Sequence, residues 1–337
     1  WNRKVNHLNI PKGNKQKKHW NKIKRLIKST MRIFRNYNTL PKAFHQATIA
    51  IGNFDGVHLG HAKMLNKLVE IGQENQSESV LMTFFPHPRI VLFPDHDLKL
   101  INDIDENIEL FKKYNIDHLI IQNFDKEFSR ITSLDYIRDI LIKKIGLKNL
   151  VIGFNHHFGR NREGSLENLS EYADIYDFDI HQVDSYSIDK KSISSTKIRN
   201  AINLGDVQLA NNYLGYSFTF SGIVSKGKGR GKAMGFPTAN IILENKNKII
   251  PKFGVYAVNI LYNKIRYKGM LNIGMNPTFN NQEPSIEVHI FDFNKEIYGS
   301  KLSVELIDRI RNEKKFNNPD ELKNQLAIDR IASLNIL

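Results

Sequence analysis

Two histidines three residues apart, His58 and His61, stand in the glycine-rich stretch GNFDGVHLGH, residues 52–61. Imidazoles set among glycines suit a site that handles phosphate. Gly52, Gly56 and Gly60 let the backbone approach an anion closely, and two rings at one edge can neutralise the charge that builds on a leaving pyrophosphate. Adenylyl transfer asks for this combination, because its attacking group is often already an anion and the barrier lies in alignment and charge. The bland alternatives are surface histidines on a turn, or half of a metal site. A second candidate set lies in the last third of the chain. Ile286, Val288 and Ile290 share one face of an alternating run, which leaves Glu287 and His289 on the other. Glu287 there is either a solvent-facing carboxylate or a base that takes a proton from an alcohol. Thr238 and Asn240, one residue apart, offer two neutral oxygens fit for a Mg²⁺-bound polyphosphate.

Other stretches carry the same flavour. GFNHHFGRNREG, residues 153–164, joins Asn155 and the pair His156 and His157 to Arg160 and Arg162. Four histidines (His58, His61, His156, His157) could be read as a zinc site. The spacing lacks the carboxylate or cysteine typical of one, and glycine-rich loops fit phosphates better. Ser194, Ser195 and Thr196 open a predicted helix to Ile202, with Arg199 one turn in; hydroxyls and a guanidinium there either cap the helix or meet a triphosphate. The basic loop from Gly227 through Gly231 to Gly235 is not a Walker loop, since Lys226 stands at the first glycine position and Ala233 at the Ser/Thr position.

These residues need elements to hold them. Ala47–Ile51 reads as a buried strand running into GNFDGVHLGH, and Leu65, Leu68 and Val69 mark the helix that follows. A helix start there points unpaired N–H groups and the positive end of its dipole at the loop, a ready anion site. Further strands are predicted at 79–85, 118–122 and 150–152. Helices are predicted at 107–114 and 134–144, the latter with Leu134, Ile137, Leu141 and Ile145 on one stripe. Such alternation implies an α/β domain with a parallel sheet, its ligand loops at the strands' carboxyl ends. After Tyr213 the pattern changes to six short strands, 218–224, 238–242, 254–261, 265–273, 285–291 and 302–307, with hairpin turns at Asn263-Lys264 and Asn294-Lys295. Even spacing predicts a small antiparallel β-barrel, closed by a helix 319–331 whose Leu322, Leu326 and Ala327 face inward.

Composition bounds the rest. The 337 residues carry 41% hydrophobic residues, enough for two domains with real cores, and no apolar run long enough to span a membrane. With no cysteine, disulfides and thiol chemistry drop out, and the cytosol is the simplest compartment. The net charge of +14 is concentrated: residues 1–30 hold ten Lys/Arg and no acid, leaving +4 for the rest. The basicity therefore belongs to a solvated tail, or to sequence ahead of a start at Met31, rather than to a nucleic-acid surface of the folded body.

Taken in order, GNFDGVHLGH, FFPHPR, GFNHHFG, SSTKIR, GFPTANI, NIGMNPTF and IEVHIFDF…YG resemble the prokaryotic bifunctional riboflavin kinase/FAD synthetase family over residues 31–337. The resemblance implies a Rossmann-like nucleotidylyltransferase domain over 31–200, a linker helix region over 201–214 and a riboflavin kinase barrel over 215–337. It implies two reactions: ATP and Mg²⁺ phosphorylate riboflavin to FMN, then a second ATP adenylylates FMN to FAD. His58, His61 and Glu287 match the catalytic positions. Asn53, Phe54, Gly56, Gly60, Asn155, Ser195, Thr196, Arg199, Gly227, Gly231, Gly235 and Pro237 match nucleotide-binding positions. Thr238 and Asn240 match the metal pair, and Arg311 and Phe316 the flavin segment. His156 departs from the pattern, which has an aromatic there. Riboflavin, FMN and ATP are the implied partners, with no membrane and no nucleic acid. A synthetase-like RNA enzyme would share His-x-Gly-His but would need a tRNA-reading domain in place of this barrel.

Overall fold

The computed structural model describes residues 30–154, 166–188, 191–227, 231, 234–275 and 284–337. The basic tail up to residue 29, the Asn155-His156-His157 loop with Arg160 and Arg162, and parts of the Gly227–Gly235 and NIGMNPTF loops lie outside those residues. In the first half come β1 (Arg32–Arg35), β2 (Ala47–Ile51), α1 (Leu59–Glu74), β3 (Ser79–Phe85), α2 (Pro88–Leu92), α3 (Ile104–Phe111) and β4 (His118–Asn123). Then follow α4, one α-helical turn (Ser133–Asp135) running into a π-helix (Tyr136–Ile145), β5 (Leu147–Gly153), α5 (Leu166–Tyr176) and β6 (Asp179–Val183). The six strands make one parallel sheet in the order β1-β4-β3-β2-β5-β6.

Strand β2 is buried throughout and apolar but for Thr48, because both of its faces are covered. Ile49 and Ile51 pack with Ile137, Leu141 and Ile145 of α4, while Ala50 packs with Leu65 and Leu68 of α1 on the opposite side. Leu134, expected on the α4 stripe, is exposed. It lies in the opening turn, before the wider π-helical body begins, so the 3.6-residue spacing does not carry across. The edge strands β1 and β6 escape sequence reading, since their half-exposed residues mix charge with apolar groups.

A short hairpin, β7 (Ser187–Ile188) with β8 (Lys191–Ser192), leads to α6 (Ser195–Leu204) and α7 (Val207–Leu214). The second half then contains β9 (Thr219–Ser225), β10 (Ala239–Leu243), β11 (Gly254–Tyr262), β12 (Ile265–Met275), β13 (Pro284–Ile290), β14 (Lys301–Arg311) and α8 (Pro319–Ile336). The six strands close into an antiparallel barrel in the order β10-β13-β12-β11-β14-β9. Asn263 and Lys264 form the expected two-residue turn, both with positive φ (48° and 66°). The turn expected at Asn294-Lys295 is absent. Strand β14 pairs with β11 and β9, not with β13, so residues 291–300 are a crossover rather than a hairpin.

A further correction concerns the last helix. In α8, Ala327 is exposed, and the residues fully buried are Asp329 and Ser333. A bidentate ion pair from Arg311 of β14 to Asp329 (2.7–3.0 Å) sets that rotation, overriding the apolar pattern. Residues 201–214, read from the sequence as a linker helix region, hold the end of α6 and all of α7. Their Ile202, Val207, Ala210 and Leu214 share one core with Phe218, Tyr256 and Leu306 of the barrel.

Candidate active sites

The loop after β2 is shaped by its own backbone. Phe54, Gly56 and Val57 have φ of 49°, 84° and 34°, conformations that cost a β-branched residue such as Val57 about 1–3 kcal/mol. Asp55 repays part of this. Its buried carboxylate accepts the N–H groups of Ile101 (2.9 Å) and Asn102 (3.2 Å), and it pairs with Arg199 (2.5 Å). The loop ends at His58, which caps α1: its Nδ1 accepts the N–H of His61 at 3.3 Å. Neutral His58 therefore carries its proton on Nε2. The two imidazoles stack, with centroids 3.7 Å apart and planes at 13°. Gly60 makes this possible, since a Cβ there would come within 3.1 Å of the His58 ring.

Burial lowers the His58 pKa to about 4 and that of His61 well below its usual value, the latter also through repulsion from His58. Both rings are thus neutral near pH 7. Nδ1 of His61 is buried and has no partner among the described residues. Phe54 is buried with its ring edge-on to His61 at 5.2 Å, so its side chain supports that histidine from behind. Asn53 is exposed at the rim.

The SSTKIR segment arrives at the same loop. Ser194 caps α6, Ser195 Oγ donates to Asp55 O at 2.9 Å, and Thr196 is exposed. Arg199 also donates to Lys99 O (2.8 Å). Its guanidinium thus braces the loop through Asp55. His87 of FFPHPR is buried close by, its pKa lowered to about 4, chiefly by burial.

A second constellation sits on the barrel. Asn240 of β10 lies opposite Glu287 of β13 in register. The Glu287 carboxylate accepts Thr238 Oγ1 at 3.3 Å and Ser285 Oγ at 3.0 Å. Gly227 lies close against this strand, where a Cβ would meet Asn240 Nδ2 at 2.0 Å, and a Cβ on Gly231 would meet Phe236 O at 2.3 Å. Gly235 has φ +84° and open space around it. Next to Thr238, a cavity of about 540 Å³ is lined by Phe236, Pro237, His289, Phe293, Arg330 and Ile331. His289 is buried there, with Nδ1 donating to Pro237 O at 2.7 Å, so it is not solvent-facing. Arg311 is committed to Asp329 and lies over the Phe316 ring, 5.8 Å from its centre.

Sequence reasoning missed Asp55, although a carboxylate inside a phosphate loop is itself a sign that a cation must face it. It also missed Asn102, whose N–H meets Asp55 from 47 positions away.

Comparison with known proteins divides the chain where the fold does. A FAD synthetase family model matches residues 40–197 and a riboflavin kinase model matches 214–337. The chain belongs to the bifunctional riboflavin kinase/FMN adenylyltransferase family. The Bacillus subtilis member is 36% identical over 305 residues, 89% of this chain and 96% of its own length. The Escherichia coli K12 member is 33% identical over 305 residues, 90% and 97% of the two chains. A solved Streptococcus pneumoniae structure, described as a macrolide-efflux protein, superposes on this enzyme with a TM-score of 0.83 at 32% identity, covering 91% of this chain and 99% of its own. In this enzyme no helix among the described residues is long and apolar enough to cross a membrane.

Proposed function

We infer that the chain makes FAD in two steps, riboflavin to FMN on the barrel and FMN to FAD on the α/β half. The observation that carries this reading is the contrast between the two sites. One offers a carboxylate base beside hydroxyl and amide oxygens; the other offers a paired set of neutral imidazoles at a helix start.

On the barrel, the ribityl hydroxyl of riboflavin must lose its proton as its oxygen attacks the γ-phosphorus of ATP and ADP leaves. Glu287, oriented by Thr238 and Ser285, is the proposed acceptor of that proton. The hard oxygen donors of Thr238 and Asn240 beside a carboxylate fit Mg²⁺, which when bound neutralises charge on the polyphosphate. Gly227, Gly231 and Gly235 are the proposed backbone contacts to that phosphate chain. The aromatic cavity beside Pro237 suits a planar ring of the nucleotide, and Arg311 with Phe316 the flavin edge.

On the α/β half, an FMN phosphate oxygen attacks the α-phosphorus of ATP and the bond to pyrophosphate breaks. That nucleophile is already an anion, so no base is needed. His58 is the proposed donor, through Nε2–H, to the charge that develops, and His61, stacked on it, adds a second N–H when its proton sits on the unpartnered Nδ1. The backbone of Asn53, Gly56 and Gly60 and the hydroxyl of Thr196 complete the proposed nucleotide cradle, with Ser195 and Arg199 holding it from behind; a nucleotide-binding role is also proposed for Asn155, which lies outside the described residues. Both reactions use soluble substrates, so the reading assigns a cytoplasmic enzyme without a membrane or nucleic-acid partner.

The test is separability. His58→Ala or His61→Ala is expected to abolish FMN adenylylation while riboflavin phosphorylation survives. Loss of both activities in a folded variant would sink the two-site assignment.

A further inference from the structure

The loop that carries His58 and His61 is braced from two directions, and the second lies in the other half of the chain. Tyr216, just after α7, donates its hydroxyl to Gly56 O at 2.6 Å and accepts Asn102 Nδ2 at 2.8 Å. Burial holds its phenol well above the ordinary pKa, so it stays a donor. Gly215 beside it packs against Leu59, the first residue of α1; a Cβ at 215 would fall 2.5 Å from Leu59 Cδ2.

Lys248, in the segment between β10 and β11, is buried and donates to Ile101 O at 2.7 Å. It also pairs with Glu106 of α3 and lies over the Phe218 ring at 5.0 Å. On either side of it the chains are stitched together, Leu100 N to Asn247 O (2.6 Å) and Ile249 N to Leu100 O (2.9 Å). One residue, Ile101, is thus held at its N–H by Asp55 of the phosphate loop and at its C=O by Lys248 of the barrel half. Its side chain meets Gly56, where a Cβ would come within 3.0 Å.

We propose that Tyr216 and Lys248, both within the part that matches the riboflavin kinase model, are positioning residues for adenylyl transfer. They fix the backbone of residues 54–57 and so the placement of His58 and His61. Neither touches Glu287, Thr238 or Asn240, so phosphorylation of riboflavin does not depend on them. The proposal rests on the assignment of adenylylation to the His58–His61 loop.

The experiment uses the full chain and reads both activities in the same preparations, with thermal melting alongside. Tyr216→Phe removes one oxygen and keeps the ring. Adenylylation turnover is expected to fall roughly tenfold, with KM for FMN and ATP changed less than about threefold, as expected when aligned groups are displaced slightly. Riboflavin phosphorylation stays at the wild-type rate. Lys248→Met is expected to act likewise but also to lower the melting temperature, because Glu106 loses its cation. Adding Glu106→Gln to Lys248→Met removes that stranded charge without restoring the donor to Ile101 O. Stability should then recover while adenylylation stays low.

Wild-type adenylylation in Tyr216→Phe, or its recovery together with stability in the double variant, would overturn the proposal. So would a parallel loss of both activities. His58→Ala separates this from the underlying assignment. If it kills adenylylation while Tyr216→Phe and Lys248→Met leave it intact, only the positioning role falls. If His58→Ala leaves adenylylation intact, the assignment and the proposal fall together.

Discussion

Single side chains divide here into those that react and those that hold. Glu287 belongs to the first group: it is half-buried, receives two hydroxyl donors and faces Asn240 across the strand pair. Glu287→Gln keeps the shape but cannot take a proton, so riboflavin turnover should fall by about 10²–10⁴, with substrate affinities little changed and adenylylation intact. Steady-state kinetics showing wild-type turnover would make it a positioning residue only. The histidines of the other site give a pH signature. His58 and His87 are held near pKa 4 when folded, against an ordinary 6.5. Between those values the unfolded chain binds protons that the folded chain refuses. Stability should therefore be full above about pH 6.5 and fall toward pH 4, by up to about 1.4 kcal/mol per pH unit for each histidine. Denaturant midpoints measured across that window check the sign, and His87→Gln should flatten the slope by about one proton's worth.

Elements show where sequence reading succeeds and where it stops. Strands β2 and β3 were legible as unbroken buried runs and barrel strands such as β9 by alternation, both patterns written into consecutive residues. The two-residue turn at Asn263-Lys264 was legible for the same local reason. There Lys264 sits at φ 66° with a side chain that this conformation disfavours. Lys264→Gly should raise stability by about 1 kcal/mol, seen as a higher melting temperature with both activities unchanged; no rise would mean the turn is not strained. What stayed hidden was set by distant partners. The rotation of α8 comes from Arg311 on Asp329, and the brace of the phosphate loop from Arg199, 144 positions beyond Asp55. The candidate residues were found because their motifs are contiguous. The residues that orient them are scattered, and no window along the chain contains both ends of such a contact.

Across the whole molecule, two separately placed sites share one continuous packed body. Residues 1–30 hold ten basic and no acidic residues and precede both matched regions. A chain of residues 31–337 is expected to retain both activities, and a folded truncation that makes no FAD would assign that segment a part in the enzyme. The buried Lys248–Glu106 pair has a consequence for how such enzymes can be recombined. The boundary between the two matched regions, 197 to 214, looks like a natural place to exchange one relative's barrel for another's. A chimera that brought an apolar residue to position 248 would enclose the Glu106 carboxylate with no cation, a loss of about 3–5 kcal/mol. That is a large share of the roughly 5–15 kcal/mol that keeps a typical protein folded. The barrel and the α/β half can therefore be traded only between relatives whose residues at 106 and 248 are complementary, acid with base or both apolar.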